Sequence, residues 1–137
     1  ENAAVPGGAA LLQRLREKGY RTALASSKPQ EMCLQICEKF GFAPHLEVIA
    51  GSLPGNDWTK EQVMRACMER MGLTEADLPQ VLMVGDRKFD VLGARECGID
   101  CIGIELFGYA DPGELEAAGA VAVVQTMEEL EQYILTH

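Results

Sequence analysis

The sequence predicts an α/β fold, a parallel sheet with helices on both faces. Three observations predict it. Residues 22–25, 46–50, 81–84, 101–104 and 121–124 are apolar runs with the length of buried strands. A helix or helical turn separates each run from the next, which is how parallel strands are connected. The composition, 47% hydrophobic and 24% charged over 137 residues, is that of a globular chain with one sizeable core.

The elements follow in order. Leu11, Leu12 and Leu15 mark one face of a first helix, and Gly19 stops it. Residues 22–25 form the first strand. Pro29, as the N1 residue, opens a second helix with Met32, Ile36, Cys37 and Phe40 turned inward and Gly41 at its end. Residues 46–50 form the second strand, and residues 51–57 a loop of turn-forming residues. Thr59-Lys-Glu-Gln62 has capping-box spacing and starts a third helix, with Val63, Cys67 and Met71 inside and Gly72 at the stop. After the strand at 81–84, bounded by Gly85, comes a helix over 89–97 closed by Gly98. A strand at 101–104, a brief helix over 112–118 and a strand at 121–124 follow. Thr126, with Glu129 at N3, caps the last helix. Right-handed crossovers leave few topologies for this order, and residues 1–137 read as one domain.

Twelve basic residues against 21 acidic ones give a formal charge of -9. That field repels nucleic acid and anionic membrane surfaces, so neither is an expected partner. A small phosphorylated metabolite remains compatible if a cation or local lysines oppose the field. No apolar run approaches the roughly 20 residues of a membrane span. The opening Glu-Asn-Ala-Ala-Val-Pro has no signal-peptide character and no initiator Met, so the chain is expected to begin inside a longer protein or after processing. Five scattered cysteines, Cys33, Cys37, Cys67, Cys97 and Cys101, suit neither a disulfide framework nor a zinc site. They read as reduced core thiols of a cytoplasmic protein.

In parallel sheets, ligands bind beyond the carboxyl ends of the strands. There the first strand delivers Ser26-Ser27-Lys28-Pro29 to a helix start, where hydroxyls and N–H groups either bind an anion or simply cap the helix. Lys60 stands at the first position of its helix, where the macrodipole disfavours a cation by roughly 0.3–1 kcal/mol. It either meets an anion or extends into water. Val81-Leu-Met-Val-Gly-Asp-Arg-Lys-Phe-Asp90 sets Asp86 at a strand end and Asp90 one turn later. Carboxylates so placed suit a hard cation such as Mg²⁺, which takes one or two of them plus water and phosphate oxygens. Capping of the following helix is the alternative.

Together these residues resemble the haloacid dehalogenase (HAD) superfamily, most closely its phosphoglycolate phosphatase-like branch, over essentially the whole chain. Pro6-Gly7 and the leucine-rich helix resemble the start of that family's second core segment. Leu24-Ala-Ser-Ser-Lys-Pro29 resembles the second motif, Lys60 the third-motif lysine, and Met83-Val-Gly-Asp-Arg-Lys-Phe-Asp90 the fourth motif, Gly-Asp-x-x-x-Asp. Gly93-Ala-Arg-Glu-Cys-Gly-Ile99 and Phe107-Gly-Tyr109 continue the similarity. The resemblance implies a three-layer Rossmann-like core. It implies that Ser26, with Ser27 and Lys28, would bind phosphate, and that Lys60 would neutralise phosphate and nucleophile. Asp86 would bind Mg²⁺, and Asp90 would support the metal's water shell or Lys60.

The first motif, Asp-x-Asp-Gly-Thr, has no counterpart in these residues, nor has the helical cap that follows it in the family. In the family that motif's strand lies between the strands ending at Ser26 and Gly85, so the expected sheet lacks its central strand. Either another segment fills the slot, the two strands close together, or the fold is perturbed. The resemblance implies a Mg²⁺-dependent phosphomonoesterase working through a phosphoaspartyl intermediate in the full-length protein, with this chain an inactive C-terminal segment. The missing N-terminal segment, or self-association, is the expected protein partner. The alternatives are a non-catalytic phosphate- or protein-binding domain, or a related phosphomutase or nucleotidase.

Overall fold

The computed structural model describes residues 8–53, 58–105 and 111–136. Pro6-Gly7 and Phe107-Gly-Tyr109 lie outside the described residues. The chain divides into two compact units, Glu1–Leu73 and Thr74–His137.

The first unit holds α1 (Gly8–Glu17), β1 (Ala23–Pro29), α2 (Gln30–Lys39), β2 (Val48–Ser52) and α3 (Lys60–Arg70). β1 and β2 pair in parallel, Ala23 to Val48, Leu24 to Ile49 and Ala25 to Ala50. Alternation along the strands puts Ala23, Ala25, Val48 and Ala50 on one face. Val63 and Cys67 of α3 pack there, with Trp58 and Met71 at the margin. The other face receives α2, whose approach is close. A Cβ on Gly51 would stand 2.7 Å from the Lys28 carbonyl oxygen, 2.8 Å from Gln30 Cα and 2.9 Å from Cys33 Sγ. Only glycine lets helix and strand meet at that point. The unit is therefore helix, two-stranded sheet, helix.

Two details of α2 differ from expectation. Pro29 is the last residue of β1, paired with Ser52, and it precedes the helix instead of opening it. The buried side of α2 is Cys33 and Cys37, while Met32 is 42% exposed. With the helix starting at Gln30, its inward stripe turns onto the two small thiols, which fit the tight contact at Gly51 where a methionine would not.

The second unit holds β3 (Leu82–Gly85), α4 (Lys88–Cys97), β4 (Asp100–Ile104), α5 (Glu114–Ala118), β5 (Ala122–Val124) and α6 (Met127–Thr136). Its parallel sheet has the order β3-β4-β5. β4, in the middle, is buried from Cys101 to Ile104, and Val91 and Ala94 of α4 are wholly buried. Burial of Val91 contributes about 1.5–3 kcal/mol by taking the side chain out of water. Gly98 closes α4 in the left-handed region. Thr126 caps α6 by accepting from the Glu129 N–H, while the Glu129 carboxylate accepts from Gln125 N–H, one residue before the position expected of a capping box. Short 3-10 turns at Ala43–His45 and Glu75–Gln80 add to the expected elements.

Both units carry parallel sheets with flanking helices, as the α/β reading expects, and the pairings among the described residues are β1-β2 and β3-β4-β5. In the first unit β2 is largely buried while β1 is only half-buried over Ala23–Ser26; in the second β4 is buried while Leu82, Met83 and Val84 of β3 are half-buried. β5 is likewise half-buried at Ala122 and Val123. No helix among the described residues is long and apolar enough to cross a membrane.

Candidate functional site

The carboxyl end of β1 is irregular. After Ala25 the register with β2 shifts, and pairing resumes only at Pro29. Ser26, Ser27 and Lys28 therefore stand outside the regular ladder, directly before the first turn of α2. Ser26 is half-buried, and its Oγ accepts from the Lys28 N–H at 3.2 Å. That bond fills one acceptor site of the hydroxyl and leaves its O–H as the group with which to donate. Ser27 is exposed, and its carbonyl accepts from Ser52 Oγ at 2.7 Å.

Lys60 folds back to this place. Thr59 and Gln62 close the capping box that fixes the start of α3, Gln62 N–H to Thr59 Oγ1 and Thr59 N–H to Gln62 Oε1. From that fixed start the half-buried lysine donates through Nζ to the Ala25 carbonyl at 3.4 Å. The ammonium thus lies at the strand end beside Ser26 instead of extending into water. Cys33 lies beneath the loop and donates through Sγ to the Lys28 carbonyl at 3.6 Å. Burial pushes its thiol pKa up, against the opposing pull of the Ser26 hydroxyl and of the Lys28 and Lys60 charges. A hydroxyl and an ammonium group near a helix start are of the kind that suits an anion.

In the second unit, β3 delivers Gly85 and Asp86 to the turn before α4. Asp90, 6% exposed, bends back so that Oδ2 accepts from Asp86 N–H at 3.2 Å and from Arg87 N–H at 3.4 Å. Its carboxylate lies over Gly85, where a Cβ would come within 2.2 Å of Asp90 Cβ. The capping alternative for Asp90 is therefore the geometry present, and the same bonds fix the backbone that carries Asp86. Asp86, half-buried, is a hard oxygen donor at the strand end, which fits one ligand of a Mg²⁺ ion that keeps several waters. Among the described residues no three His, Cys, Asp or Glu side chains converge as a metal cluster.

Sequence reasoning missed Glu114. Its Oε2 accepts from Arg87 Nε at 2.9 Å and from Lys88 N–H at 2.8 Å, and its Oε1 from Asp111 N–H at 3.3 Å. One carboxylate at the start of α5 thereby holds the turn that bears Asp86. Arg87, followed by the two backbone donors, lowers the Glu114 pKa from 4.5 to about 2. A depressed carboxylate pKa stabilises the fold above its unfolded value and ceases to do so as pH falls through the folded one. The stability gap between the native chain and Glu114→Gln is therefore expected to be full above about pH 4.5 and to close toward pH 2. Chemical denaturation at a series of pH values checks this, and a gap that stays constant would remove Glu114 from the turn.

The chain belongs to the haloacid dehalogenase-like hydrolases, whose family model matches residues 2–104. It is 33% identical to a 5'-nucleotidase of Pseudomonas aeruginosa over 138 aligned residues, covering 100% of this chain and 61% of that protein. It is 36% identical to a plasmid-encoded phosphoglycolate phosphatase of Cupriavidus necator, covering 91% of this chain and 53% of that protein. A crystal structure of a predicted phosphatase from Clostridium acetobutylicum superposes with a TM-score of 0.87 at 36% identity, over 96% of this chain and 59% of that one. The chain thus spans between about half and three fifths of the length of these relatives.

Proposed function

We propose that this chain supplies the phosphate-binding and metal-binding residues of a Mg²⁺-dependent phosphomonoesterase of the phosphoglycolate phosphatase type. The observation that carries the reading is Lys60, a cation at an unfavourable helix start drawn back to the Ala25 carbonyl beside Ser26. Membership of a hydrolase family and the phosphatase names of the relatives support it. The Ser26 hydroxyl and the Lys28 and Lys60 ammonium groups would bind and orient the phosphoryl oxygens. Asp86 would hold Mg²⁺, which when bound neutralises charge on the transferring group. Asp90 would keep Asp86 in place through the turn. Attack on phosphorus, with formation and hydrolysis of a phosphoaspartyl enzyme, requires an aspartate nucleophile in an Asp-x-Asp-Gly-Thr segment, which these 137 residues do not contain. The substrate would be a small phosphorylated metabolite. Five free, buried thiols support a reducing, cytoplasmic setting.

The test is release of inorganic phosphate by a protein that joins these residues to such a segment. Lys60→Met is expected to lower kcat by about 10²-fold or more, the loss typical of one preorganised charge donor. Stability should change by no more than about 0.5 kcal/mol, because the Thr59–Gln62 cap is untouched. Unchanged turnover in Lys60→Met would leave the lysine only its contact with the Ala25 carbonyl and no part in turnover. Phosphate binding with no turnover in the joined protein would favour the non-catalytic reading.

A further inference from the structure

The irregular end of β1 raises a question of bonding. Ser26, Ser27 and Lys28 leave the ladder, so β2 loses its regular strand partner opposite them. A buried strand end rarely leaves its N–H and C=O groups unsatisfied. Here the replacement is one side chain. Gln30 donates through Nε2 to the Ile49 carbonyl at 2.8 Å and accepts through Oε1 from the Gly51 N–H at 2.6 Å. A donor and an acceptor on alternate residues of one strand are what a neighbouring backbone would offer. The amide takes over the ladder at the place where β1 departs from it.

We propose that Gln30 is a positioning residue for the phosphate loop: its side-chain amide substitutes for the β1 backbone against β2, which lets residues 26–28 bulge out and present Ser26 and Lys28 at the strand end. The inference rests on the reading of that loop as the phosphate site. The neighbouring contacts fit the role. Gly51 sits against both the Lys28 carbonyl and Gln30 Cα, so whatever fixes Gly51 also fixes the loop. Ser52 Oγ ties the Ser27 carbonyl to the same strand. The two halves of the clamp are unequal, because Arg70 also donates to the Ile49 carbonyl, at 3.1 Å. The Gly51 N–H is therefore the group that most depends on Gln30. This predicts a rescue order. Gln30→Glu keeps an acceptor for Gly51 but sets a carboxylate oxygen, which cannot donate, against the Ile49 carbonyl and leaves Arg70 as that carbonyl's donor. Gln30→Leu keeps the bulk and loses the acceptor.

The experiment is peptide-resolved hydrogen exchange of the full chain, with and without inorganic phosphate, for the native protein, Gln30→Leu and Gln30→Glu. Gln30→Leu should speed exchange about 3- to 10-fold in the peptides covering residues 23–30 and 48–53, the scale of one lost hydrogen bond, with peptides of β4 unchanged. Gln30→Glu should fall between native and Gln30→Leu, because it keeps the acceptor for Gly51 and loses the donor to Ile49. Phosphate should slow exchange over residues 26–28 in the native and Glu forms and have less effect in the Leu form. The proposal is overturned if residues 26–28 exchange at the native rate in Gln30→Leu, if exchange rises equally in β4, or if Glu behaves as Leu does. Absence of any phosphate effect in the native protein, with the exchange differences present, would instead refute the phosphate reading of the loop and leave the clamp standing.

Discussion

In a protein that joins this chain to an Asp-x-Asp-Gly-Thr segment, Asp86→Asn is expected to cut phosphatase turnover by about 10³-fold or more. A Lewis acid on a phosphoryl oxygen contributes several kcal/mol, and every 1.36 kcal/mol is tenfold in rate. The substitution removes the anionic oxygen that a hard cation requires at nearly constant volume. It should leave the fold alone, because it is the Asp86 backbone N–H, not its side chain, that Asp90 Oδ2 binds. Asp90→Ala should behave in the opposite sense. It removes a buried acceptor from Asp86 N–H and Arg87 N–H at once, a loss on the order of 1–3 kcal/mol in stability. Thermal unfolding with and without Mg²⁺ separates the cases. The native protein should gain stability with Mg²⁺ by mass action, Asp86→Asn should start from the native midpoint and gain none, and Asp90→Ala should start lower. Native turnover in Asp86→Asn, or an undiminished Mg²⁺ effect, would remove Asp86 from the metal.

The alternation of strands and helices was legible because it rests on apolar periodicity and on local signals such as the Thr59–Gln62 box, which forms as its spacing predicts. Ser26 and Asp86 were legible as candidates because each follows a strand, Asp90 because it stands one turn after Asp86, and Lys60 because it is a cation at a helix start. That Lys60 folds back to Ala25 was not, since the bond joins residues 35 positions apart. Glu114 was hidden for the same reason: its partner Arg87 is 27 residues away, and a glutamate at a helix start looks like any other. Pro29 misled because its fixed φ suits both a helix's first residue and the extended backbone before one, and the pairing with Ser52 decides for the second. Gln30 carried no signal at all. Its role exists only because β1 leaves its register, and register belongs to two strands together.

The 137-residue chain by itself is expected to show no phosphatase turnover at any Mg²⁺ concentration, and a segment carrying Asp-x-Asp-Gly-Thr, supplied in trans or by fusion, is expected to restore it. Uncatalysed phosphate-monoester hydrolysis is so slow that enzymes supply up to ~10²¹-fold acceleration. In the proposed reading Ser26, Lys28, Lys60 and Asp86 would bind and neutralise, but none of them is the aspartate nucleophile that splits the reaction into two easier steps. The same absence should appear in the physical behaviour of the chain. β1 and β3, like β5, are half-buried, and a half-covered strand edge offers N–H and C=O groups to any partner that can pair. We therefore expect the chain alone to self-associate, and the added segment, by pairing with open strand edges, to return it to a monomer as it restores activity. Sedimentation and p-nitrophenyl phosphate turnover of the purified chain, before and after addition of the segment, test both halves. Turnover by the chain alone that disappears in Asp86→Asn would mean that the nucleophile lies among these residues. A cooperatively unfolding monomer would mean that the open edges of β1 and β3 are satisfied without a further strand. Activity restored without any change in sedimentation would separate the two effects and place the role of the segment in the chemistry alone.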